Sequence, residues 1–403
     1  MSEPSRYISG NVSQLKPSGI RKFFDLAANM EGVISLGVGE PDFITSWNVR
    51  EACIQSLEQG YTAYTANAGM LELRKEICSY LNSRFALNYD ASSEVMVTVG
   101  ASQALDLSLR AILNPGEEVL LIEPCFVSYE PLIRLCGGIP VSVSAREENS
   151  FKPTAADIEK KITQKTKALI LCSPNNPTGA QLTKKELQEV SLLAEKHDLL
   201  VIADEIYAEL SYEEAYTSFS SLPGMRERTI LVSGFSKGFA MTGWRLGYAC
   251  APAPLLAAML KIHQYSMMCA PTMAQHAALE ALTNGLADVD SMKRSYRQRR
   301  NLFVEGLREI GFSCHLPGGA FYAFPSIKNT GLSSDEYAES LLLEEKVAVV
   351  PGSVFGSCGE GFVRCSYASS VEQLQEALKR MERHLKKLQA SSNIVSERMR
   401  KEA

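Results

Sequence analysis

The stretch ALILCSPNNPTGAQLTKKELQEVSLLAEKHDLLVIA, residues 168 to 203, joins two apolar runs through a polar turn and an amphipathic segment. The runs Ala168–Cys172 and Leu199–Ala203 are nearly continuous in apolar residues, which is typical of strands covered on both faces of a sheet. Between them, Thr183 followed three residues later by Glu186 predicts a capping box at a helix start. This order of strand, helix and strand predicts one unit of a parallel sheet.

The same pattern extends in both directions from this unit. Short apolar runs alternate with stretches of helical periodicity from about residue 95 to residue 250. The runs predicted as strands are Val95–Val99, Val119–Ile122, Ile139–Val143, Ala168–Cys172, Leu199–Ala203, Thr229–Val232 and Leu246–Cys250. We therefore expect an α/β fold with a seven-stranded, mostly parallel sheet between layers of helices.

The remainder of the chain has a different organisation. Residues 254–310 are predicted to be largely helical, and GFSCHLPGGAFYAFP, residues 311 to 325, has a strand–turn–strand pattern. The elements predicted after it are a helix near Ser334–Glu345, strands at Val347–Val350 and Phe362–Tyr367, and a final helix from Val371. We expect a large domain over residues 46–285, and a smaller α+β domain made of residues 286–403 with residues 1–45 packed against it.

The composition excludes several classes of protein. The formal net charge of the 403 residues is −5, which argues against a nucleic-acid-binding protein. The five histidines and ten cysteines form no HExxH motif, no CxxC pair and no Cys/His cluster, so we expect no metal site. The sequence has no apolar leader and no apolar run of about 18 residues. We therefore expect a cytoplasmic protein that does not bind membranes.

Chemically useful side chains follow the predicted strands, where an open α/β sheet binds its ligands. GASQAL places Ala101 and Ser102 at a helix start, whose free N–H groups suit a phosphate. SPNNPTG places Asn176 after the fourth strand, and DEIY places Asp204 and Tyr207 after the fifth. A carboxylate at the end of a buried strand needs a partner. Each feature also has a structural alternative, namely an ordinary helix start, a rigid turn or an internal salt bridge.

The sixth predicted strand leads into SGFSKGFAMTGWRLGY, residues 233 to 248. Lys237 lies there among glycines and apolar residues, with Arg245 eight residues further on. A desolvated lysine beside another cation has a lowered pKa, and its neutral amine attacks carbonyl groups. Alternatively, Lys237 extends its amine into solvent. Taken together, these strand ends fit one ligand with a phosphate, a ring nitrogen, a ring hydroxyl and an aldehyde, which is pyridoxal phosphate.

The motifs carry a family resemblance that runs from about residue 18 to residue 387. GFSKGFAMTGWRLG resembles the lysine signature of the class I/II aminotransferases, which depend on pyridoxal phosphate and have fold type I. SPNNPTG, ADEIY, LGVGEPDF, YTANAGMLELR and FVRCSYA fit the same family in order. Within it, the chain looks most like the aspartate/aromatic/alanine-type branch, and especially like Bacillus-type aminotransferases whose substrates are poorly assigned.

The resemblance implies a role for each matching residue. Lys237 would hold the cofactor as a Schiff base and move the substrate proton, Asp204 would pair with the ring nitrogen, and Tyr207 would contact the ring oxygen. The implied cofactor contacts are Ala101, Ser102, Phe126, Asn176, Asp204, Tyr207, Ser236, Lys237, Arg245 and Tyr64. The implied substrate contacts are Gly39, Asn176 and Arg364. Tyr64 would reach the site of a neighbouring subunit, so the resemblance also implies a homodimer.

Two departures from the family pattern concern binding. Many relatives have a phosphate-binding hydroxyl three residues before the lysine, where this chain has Gly234, so Ser236 is the expected substitute. No residue matches the second arginine that binds a distal carboxylate in aspartate-type enzymes, which leaves the amino donor open. The expected activity is ping-pong transfer of an amino group from an L-amino acid to a 2-oxo acid. A carbon–sulfur lyase or other eliminase on the same fold, and a pyridoxal-phosphate-binding regulator without catalytic activity, are the alternatives.

Overall fold

The computed structural model describes residues 4–15, 17, 19, 30–213 and 215–402, with side chains described up to residue 390. The strands in this part of the chain are β1 (Ile34–Ser35), β2 (Val95–Thr98), β3 (Glu118–Glu123), β4 (Ile139–Ser144), β5 (Thr166–Cys172), β6 (Leu200–Asp204), β7 (Thr229–Gly234), β8 (Gly247–Cys250), β9 (Tyr322–Ala323), β10 (Val347–Ala348), β11 (Val350–Pro351) and β12 (Val363–Ser366). The α-helices are α1 (Gly10–Ser13), α2 (Trp47–Glu58), α3 (Leu71–Phe85), α4 (Gly100–Ile112), α5 (Tyr129–Leu135), α6 (Ala155–Glu159), α7 (Lys184–Lys196), α8 (Ala253–Ser266), α9 (Thr272–Asn284), α10 (Leu286–Glu309), α11 (Ser334–Glu345) and α12 (Val371–Glu402).

The main sheet contains β2 to β8 in the order β2-β8-β7-β6-β5-β3-β4. Strands β7, β6, β5, β3 and β4 are parallel, whereas β8 is antiparallel to both of its neighbours. The seven predicted strands are confirmed, with ends that differ by one or two residues. The expected α/β class and the mostly parallel sheet are therefore confirmed.

Helices cover both faces of this sheet, as the apolar strands require. Successive residues of a strand point to opposite faces of the sheet. In β5, Ile170 packs in the hydrophobic cluster that includes residues of α4 and α8, whereas Leu169 packs in the cluster that includes residues of α7. Helix α7 begins with the predicted capping box, in which Thr183 accepts from the backbone N–H of Glu186 and the Glu186 side chain accepts from the backbone N–H of Thr183. These layers fix the positions of the loops that follow each parallel strand.

The smaller sheets lie outside this seven-stranded sheet. Strand β1 pairs in parallel with β10, with Ile34 opposite Val347, while β11, β12 and β9 form an antiparallel sheet. Helix α11 has the predicted bounds. Helices α10, α11 and α12 bury Phe303, Leu341 and Leu374 in a common core.

One expectation for this region is wrong. Residues 311–325 contain the short strand β9 and two isolated bridge residues, Ser313 opposite Ser326 and Gly319 opposite Ser211, rather than two paired strands. The predicted strand Val347–Val350 is also divided, because β10 pairs with β1 whereas β11 pairs with β12. Apolar residues here pack in irregular backbone, so periodicity alone gave the wrong pairing.

Across the described part of the chain, the helices lack the combination of length and apolar character that a membrane span requires.

Candidate active site

A cavity of about 540 Å³ opens beyond the carboxyl ends of the parallel strands. Every predicted site residue except Tyr64 lines it. These residues are Gly39, Ala101, Ser102, Phe126, Asn176, Asp204, Tyr207, Ser236, Lys237, Arg245 and Arg364. The fold therefore brings together residues that are more than 300 positions apart in sequence, and those that end or follow β5, β6 and β7 lie where the strand-end rule predicts.

Asp204 is the last residue of β6 and is buried beside this cavity. Its Oδ2 accepts a hydrogen bond of 2.6 Å from the Tyr129 hydroxyl, whereas its Oδ1 receives only a long bond, 3.3 Å, from the backbone N–H of Ile206. Burial raises the pKa of the Asp204 carboxyl, and the bond from Tyr129 partly opposes that increase. No salt bridge to Asp204 is found among the described residues, so the alternative of an internal salt bridge is not supported.

Lys237 follows β7 and is partly exposed as a residue. Its Nζ donates a hydrogen bond of 2.5 Å to the carbonyl oxygen of Gly39. Burial lowers the pKa of the Lys237 amine to about 8, with further lowering from Arg364 and Arg245, while the charge of Glu40 acts in the opposite direction. An amine with this pKa is partly neutral near neutral pH, and a nucleophile requires that state.

Arg364 projects from β12 and is almost completely buried. Its Nη1 donates to Asn176 Oδ1 at 2.9 Å, and its Nη2 donates to the carbonyl oxygen of Gly37 at 2.7 Å. The guanidinium carbon lies 4.5 Å from the ring centroid of Tyr322. Its Nε is buried and has no hydrogen-bond partner among the described residues, which leaves a donor for a carboxylate.

Two tyrosines, Tyr207 and Tyr322, also line the cavity. The hydroxyl groups of Tyr207 and Tyr322 share a hydrogen bond of 2.9 Å, and burial raises the pKa of both. Phe126 also lines the cavity, edge-on to Tyr129 at 5.6 Å between ring centroids. Sequence reasoning missed Tyr129 and Tyr322. The spacing of Tyr129 three residues after Phe126, within α5, was the available signal for the first.

One part of the cavity lining combines a helix start with a cation. Gly100, at φ +76°, begins α4, and a Cβ built on it would lie 2.6 Å from Nη2 of Arg245. Arg245 is exposed, adopts a left-handed φ of 53° and donates through Nη1 to the carbonyl oxygen of Thr242 at 2.9 Å. Such strained backbone is common at ligand sites. The guanidinium and the first N–H groups of α4 suit a phosphate.

Gly234 departs from the family pattern for a steric reason. It is paired with Gly247 of β8, and a Cβ built on it would lie 2.8 Å from Gly247 Cα and 3.0 Å from the carbonyl oxygen of Leu246. A serine therefore has no space here unless the two strands move apart. Ser236, two residues later, is buried and lines the cavity.

Tyr64 lies outside the cavity and is 80% exposed. It belongs to a surface that we call the aromatic patch, formed by Tyr61, Tyr64, Tyr265, Met267 and Met268. The two segments of this patch are joined by a hydrogen bond of 2.9 Å from Asn67 Nδ2 to the carbonyl oxygen of Met268. A single protomer thus shows Tyr64 as an exposed side chain on an apolar surface.

The described residues fit pyridoxal phosphate by their unfilled contacts. The incompletely bonded, buried Asp204 suits a protonated ring nitrogen, and the unpaired Arg364 Nε suits a substrate carboxylate. The close approach of Arg245 to Gly100 at the start of α4 suits a phosphate. No group of three or more potential metal ligands occurs among the residues that the structure describes.

A lysine, an aspartate and two arginines around one strand-end cavity are the arrangement of a pyridoxal-phosphate enzyme of fold type I. Residues 31–381 match the family Aminotransferase class I and II. The chain belongs to this family and is a pyridoxal-phosphate-dependent aminotransferase, so the resemblance seen in the motifs is confirmed.

Comparison with individual proteins supports the same class. YugH of Bacillus subtilis, named as an aminotransferase without a substrate, is 68% identical over 94% of this chain and 99% of its own. An aspartate aminotransferase of Pyrococcus abyssi is 48% identical over 94% and 98% of the two chains. The crystal structure of an aromatic aminotransferase from Pyrococcus horikoshii superposes with a TM-score of 0.87 at 46% identity, over 91% of this chain and 99% of that one.

Proposed function

We propose that the strand-end cavity is the site at which this enzyme binds pyridoxal phosphate and transfers amino groups. The observation that carries the proposal is the convergence of Lys237, Asp204, Arg245 and Arg364 on one cavity. Bound there, the cofactor would supply an electron sink for the negative charge that develops on the substrate Cα. The rest of the chemistry depends on side chains of the protein.

Asp204 would keep the ring nitrogen protonated, because a buried carboxylate stabilises a cation beside it. Tyr129 supports this role, since its hydrogen bond of 2.6 Å favours the charged carboxylate. Tyr207 and Asn176 would donate to the ring oxygen, and Phe126 would pack against the ring face. Tyr207 and Asn176 are buried, and together with Phe126 they would help to exclude water from the reacting carbon.

The phosphate would be held by the N-terminus of α4 through Ala101 and Ser102, by Ser236 and by Arg245. This is supported by the contact between Arg245 and the glycine at the start of that helix. Backbone N–H groups and a guanidinium together supply both directional donors and a full positive charge.

Lys237 would attach the cofactor and then, once released, take the proton from the substrate Cα. A pKa of about 8 supports this role, because the amine can both accept and donate a proton near neutral pH. Arg364, with Asn176 and the Gly39 backbone, would bind the α-carboxylate, and its unpaired Nε supports that assignment. Two half-reactions of this kind give ping-pong kinetics.

A homodimer is proposed, with Tyr64 of each protomer reaching the phosphate of the other. The aromatic patch supports it, since Tyr64 and Tyr265 are 80% and 88% exposed and large contiguous apolar surfaces are common at interfaces. We also propose the division into residues 46–285 and residues 1–45 with 286–403, supported by the β1–β10 pairing. The ten unpaired cysteines support a reducing, cytoplasmic location.

A half-reaction screen tests this function. The purified protein is loaded with pyridoxal phosphate and mixed separately with each common amino acid, and the cofactor absorbance and the released 2-oxo acid are measured. We expect at least one amino acid to bleach the absorbance band and to yield its own 2-oxo acid in equal amount. Release of pyruvate with sulfide from cysteine-type substrates, without amino transfer, would instead identify an eliminase.

A further inference from the structure

Tyr322 lines the cavity but has no role in the proposed function. It lies in β9, is 1% exposed and shares a hydrogen bond of 2.9 Å with the Tyr207 hydroxyl. A Cβ built on Gly39 would lie 2.8 Å from the Tyr322 hydroxyl, so the backbone approaches this hydroxyl closely on a second side. The Tyr322 hydroxyl is therefore fixed beside Tyr207 and beside the residue whose carbonyl accepts from Lys237.

The bond between the two tyrosines has a defined direction once Tyr207 binds a ligand. A tyrosine hydroxyl has one proton to donate and can also accept. Among the described residues, the Tyr207 hydroxyl bonds only to that of Tyr322. If Tyr207 gives its proton to the ring oxygen of the cofactor, as the proposed function requires, its bond with Tyr322 can form only with Tyr322 as the donor.

The charges around Tyr322 favour donation in that direction. Burial raises the pKa of the Tyr322 hydroxyl, and the guanidinium of Arg364, 4.5 Å from its ring centroid, is the strongest influence that lowers it. Cys172 and Glu40 raise this pKa, but more weakly than Arg364 lowers it. A nearby cation makes a hydroxyl more acidic, and a more acidic hydroxyl is a better donor.

We propose that Tyr322 is a positioning residue that donates to the Tyr207 hydroxyl and thereby directs and strengthens the donation of Tyr207 to the ring oxygen of the cofactor. Hydrogen bonds in a chain polarise one another, so Tyr207 donates more strongly when it also accepts from Tyr322. The inference rests on the proposed function, because it requires Tyr207 to contact the ring oxygen.

The measurable consequence is a lower pKa of the nitrogen that joins Lys237 to the bound cofactor. A proton on that nitrogen is attracted by the negative charge of the ring oxygen, and a donor to the oxygen weakens this attraction. Loss of the donor should therefore raise the pKa. The absorbance of the cofactor-loaded protein follows this titration without substrate or turnover.

Absorbance titrations over pH compare the cofactor-loaded wild type with Tyr322→Phe, Tyr207→Phe and the double variant. Phenylalanine at position 322 keeps the ring against Arg364 and removes only the hydroxyl. Tyr337→Phe is the matched control. Tyr337 is buried in the same hydrophobic core and lies outside the cavity, and its hydroxyl has no hydrogen-bond partner among the described residues. Thermal unfolding reports whether each variant is folded.

Tyr207→Phe should raise the pKa by about one to two units, the size of a lost hydrogen bond to a charged group. Tyr322→Phe should raise it by about 0.2–0.5 unit, because cooperative strengthening is a fraction of one bond. Adding Tyr322→Phe to Tyr207→Phe should give no further shift, since Tyr322 acts through Tyr207. Tyr337→Phe should leave the pKa unchanged.

Three results would overturn the proposal. The first is a lower pKa in Tyr322→Phe, because it shows that Tyr207 donates to Tyr322 in the loaded protein and that removal of Tyr322 frees this proton for the ring oxygen. The second is an unchanged pKa in Tyr322→Phe. The third is an equal rise with and without the Tyr207 hydroxyl, which shows an effect that does not pass through Tyr207.

Failure of the proposed function gives a different pattern. In that case the wild type acquires no absorbance band of a lysine-bound cofactor, or Tyr207→Phe leaves the pKa unchanged, and the role of Tyr322 is refuted with it. A rise in Tyr207→Phe without any rise in Tyr322→Phe refutes the inference on Tyr322 alone.

Discussion

Replacing Gly234 by serine provides a quantitative test of how the site is built. The family pattern suggests that a hydroxyl here would improve phosphate binding, whereas the structure predicts damage. A Cβ at this position would lie 2.8 Å from Gly247 Cα and 3.0 Å from the Leu246 carbonyl oxygen, and both of these are backbone atoms that cannot rotate away. Overpacking of this kind costs about 1–3 kcal/mol.

The strain should also reach the cofactor. Gly247 is packed equally tightly against the start of α4, because a Cβ on it would lie 2.5 Å from the backbone nitrogen of Ala101. Separation of β7 from β8 therefore shifts the helix start and Arg245, which precedes Leu246. We expect weaker binding of pyridoxal phosphate, by about tenfold if about 1.4 kcal/mol of the strain is expressed there.

The assay compares wild type, Gly234→Ser and Gly10→Ser by thermal unfolding without cofactor, and by absorbance titration with pyridoxal phosphate. Gly10 is the control, because it is exposed and a Cβ built on it meets no atom within 4 Å. The Gly234 variant should melt at a lower temperature and bind the cofactor more weakly, with Gly10→Ser unchanged. An unchanged melting temperature together with equal or tighter cofactor binding would refute the close-packing argument.

Three further predictions concern the chemistry. Lys237→Ala should abolish amino transfer and the absorbance band of the lysine-bound cofactor, and transfer that persists in steady-state assays would contradict the role of the amine. Tyr129→Phe should weaken cofactor binding about tenfold or more, because a hydrogen bond to a charged group contributes about 1.5–3 kcal/mol; it should also raise the pKa of Asp204 further, since that bond lowers it. If wild type and Tyr129→Phe bind the cofactor with equal Kd in titrations, Tyr129 does not support Asp204 in holding the cofactor. The rate at which apo protein takes up the cofactor should increase as the pH rises through about 8, because burial lowers the pKa of Lys237 and only the neutral amine attacks an aldehyde. Stopped-flow absorbance gives this profile, and a midpoint near that of a free lysine would be inconsistent with a buried amine.

Much of the fold could be predicted because its signals are local. The buried strands are short apolar runs, and the start of α7 has its capping residues three positions apart. Pairing in the smaller sheets could not be predicted, since β1 finds its partner β10 more than 300 residues later. Two-residue strands have too few side chains to specify such a partner by pattern.

In the site, too, the residues with a local sequence signal could be predicted, and those placed by distant parts of the chain could not. Asp204 and Lys237 were predictable because each follows a recognisable strand. Tyr322 was not, because it belongs to the misassigned segment 311–325, and only the fold brings its hydroxyl within 2.9 Å of Tyr207. The steric reason for Gly234 was equally hidden, since it depends on the backbone of the neighbouring strand.

This contrast between local and long-range signals explains why the chemistry of the site is easier to infer from sequence than the choice of substrate. The groups proposed to act on the cofactor end the strands and begin the helices of one sheet, so a shared fold preserves their geometry. Two of the groups proposed to contact the substrate come from elsewhere: Gly39 lies between β1 and α2, and Arg364 lies in β12. Such segments can change without disturbing the sheet. Relatives at 48% and 46% identity accordingly carry names for aspartate and for aromatic substrates. Selectivity in this enzyme must therefore be measured rather than inferred from family membership.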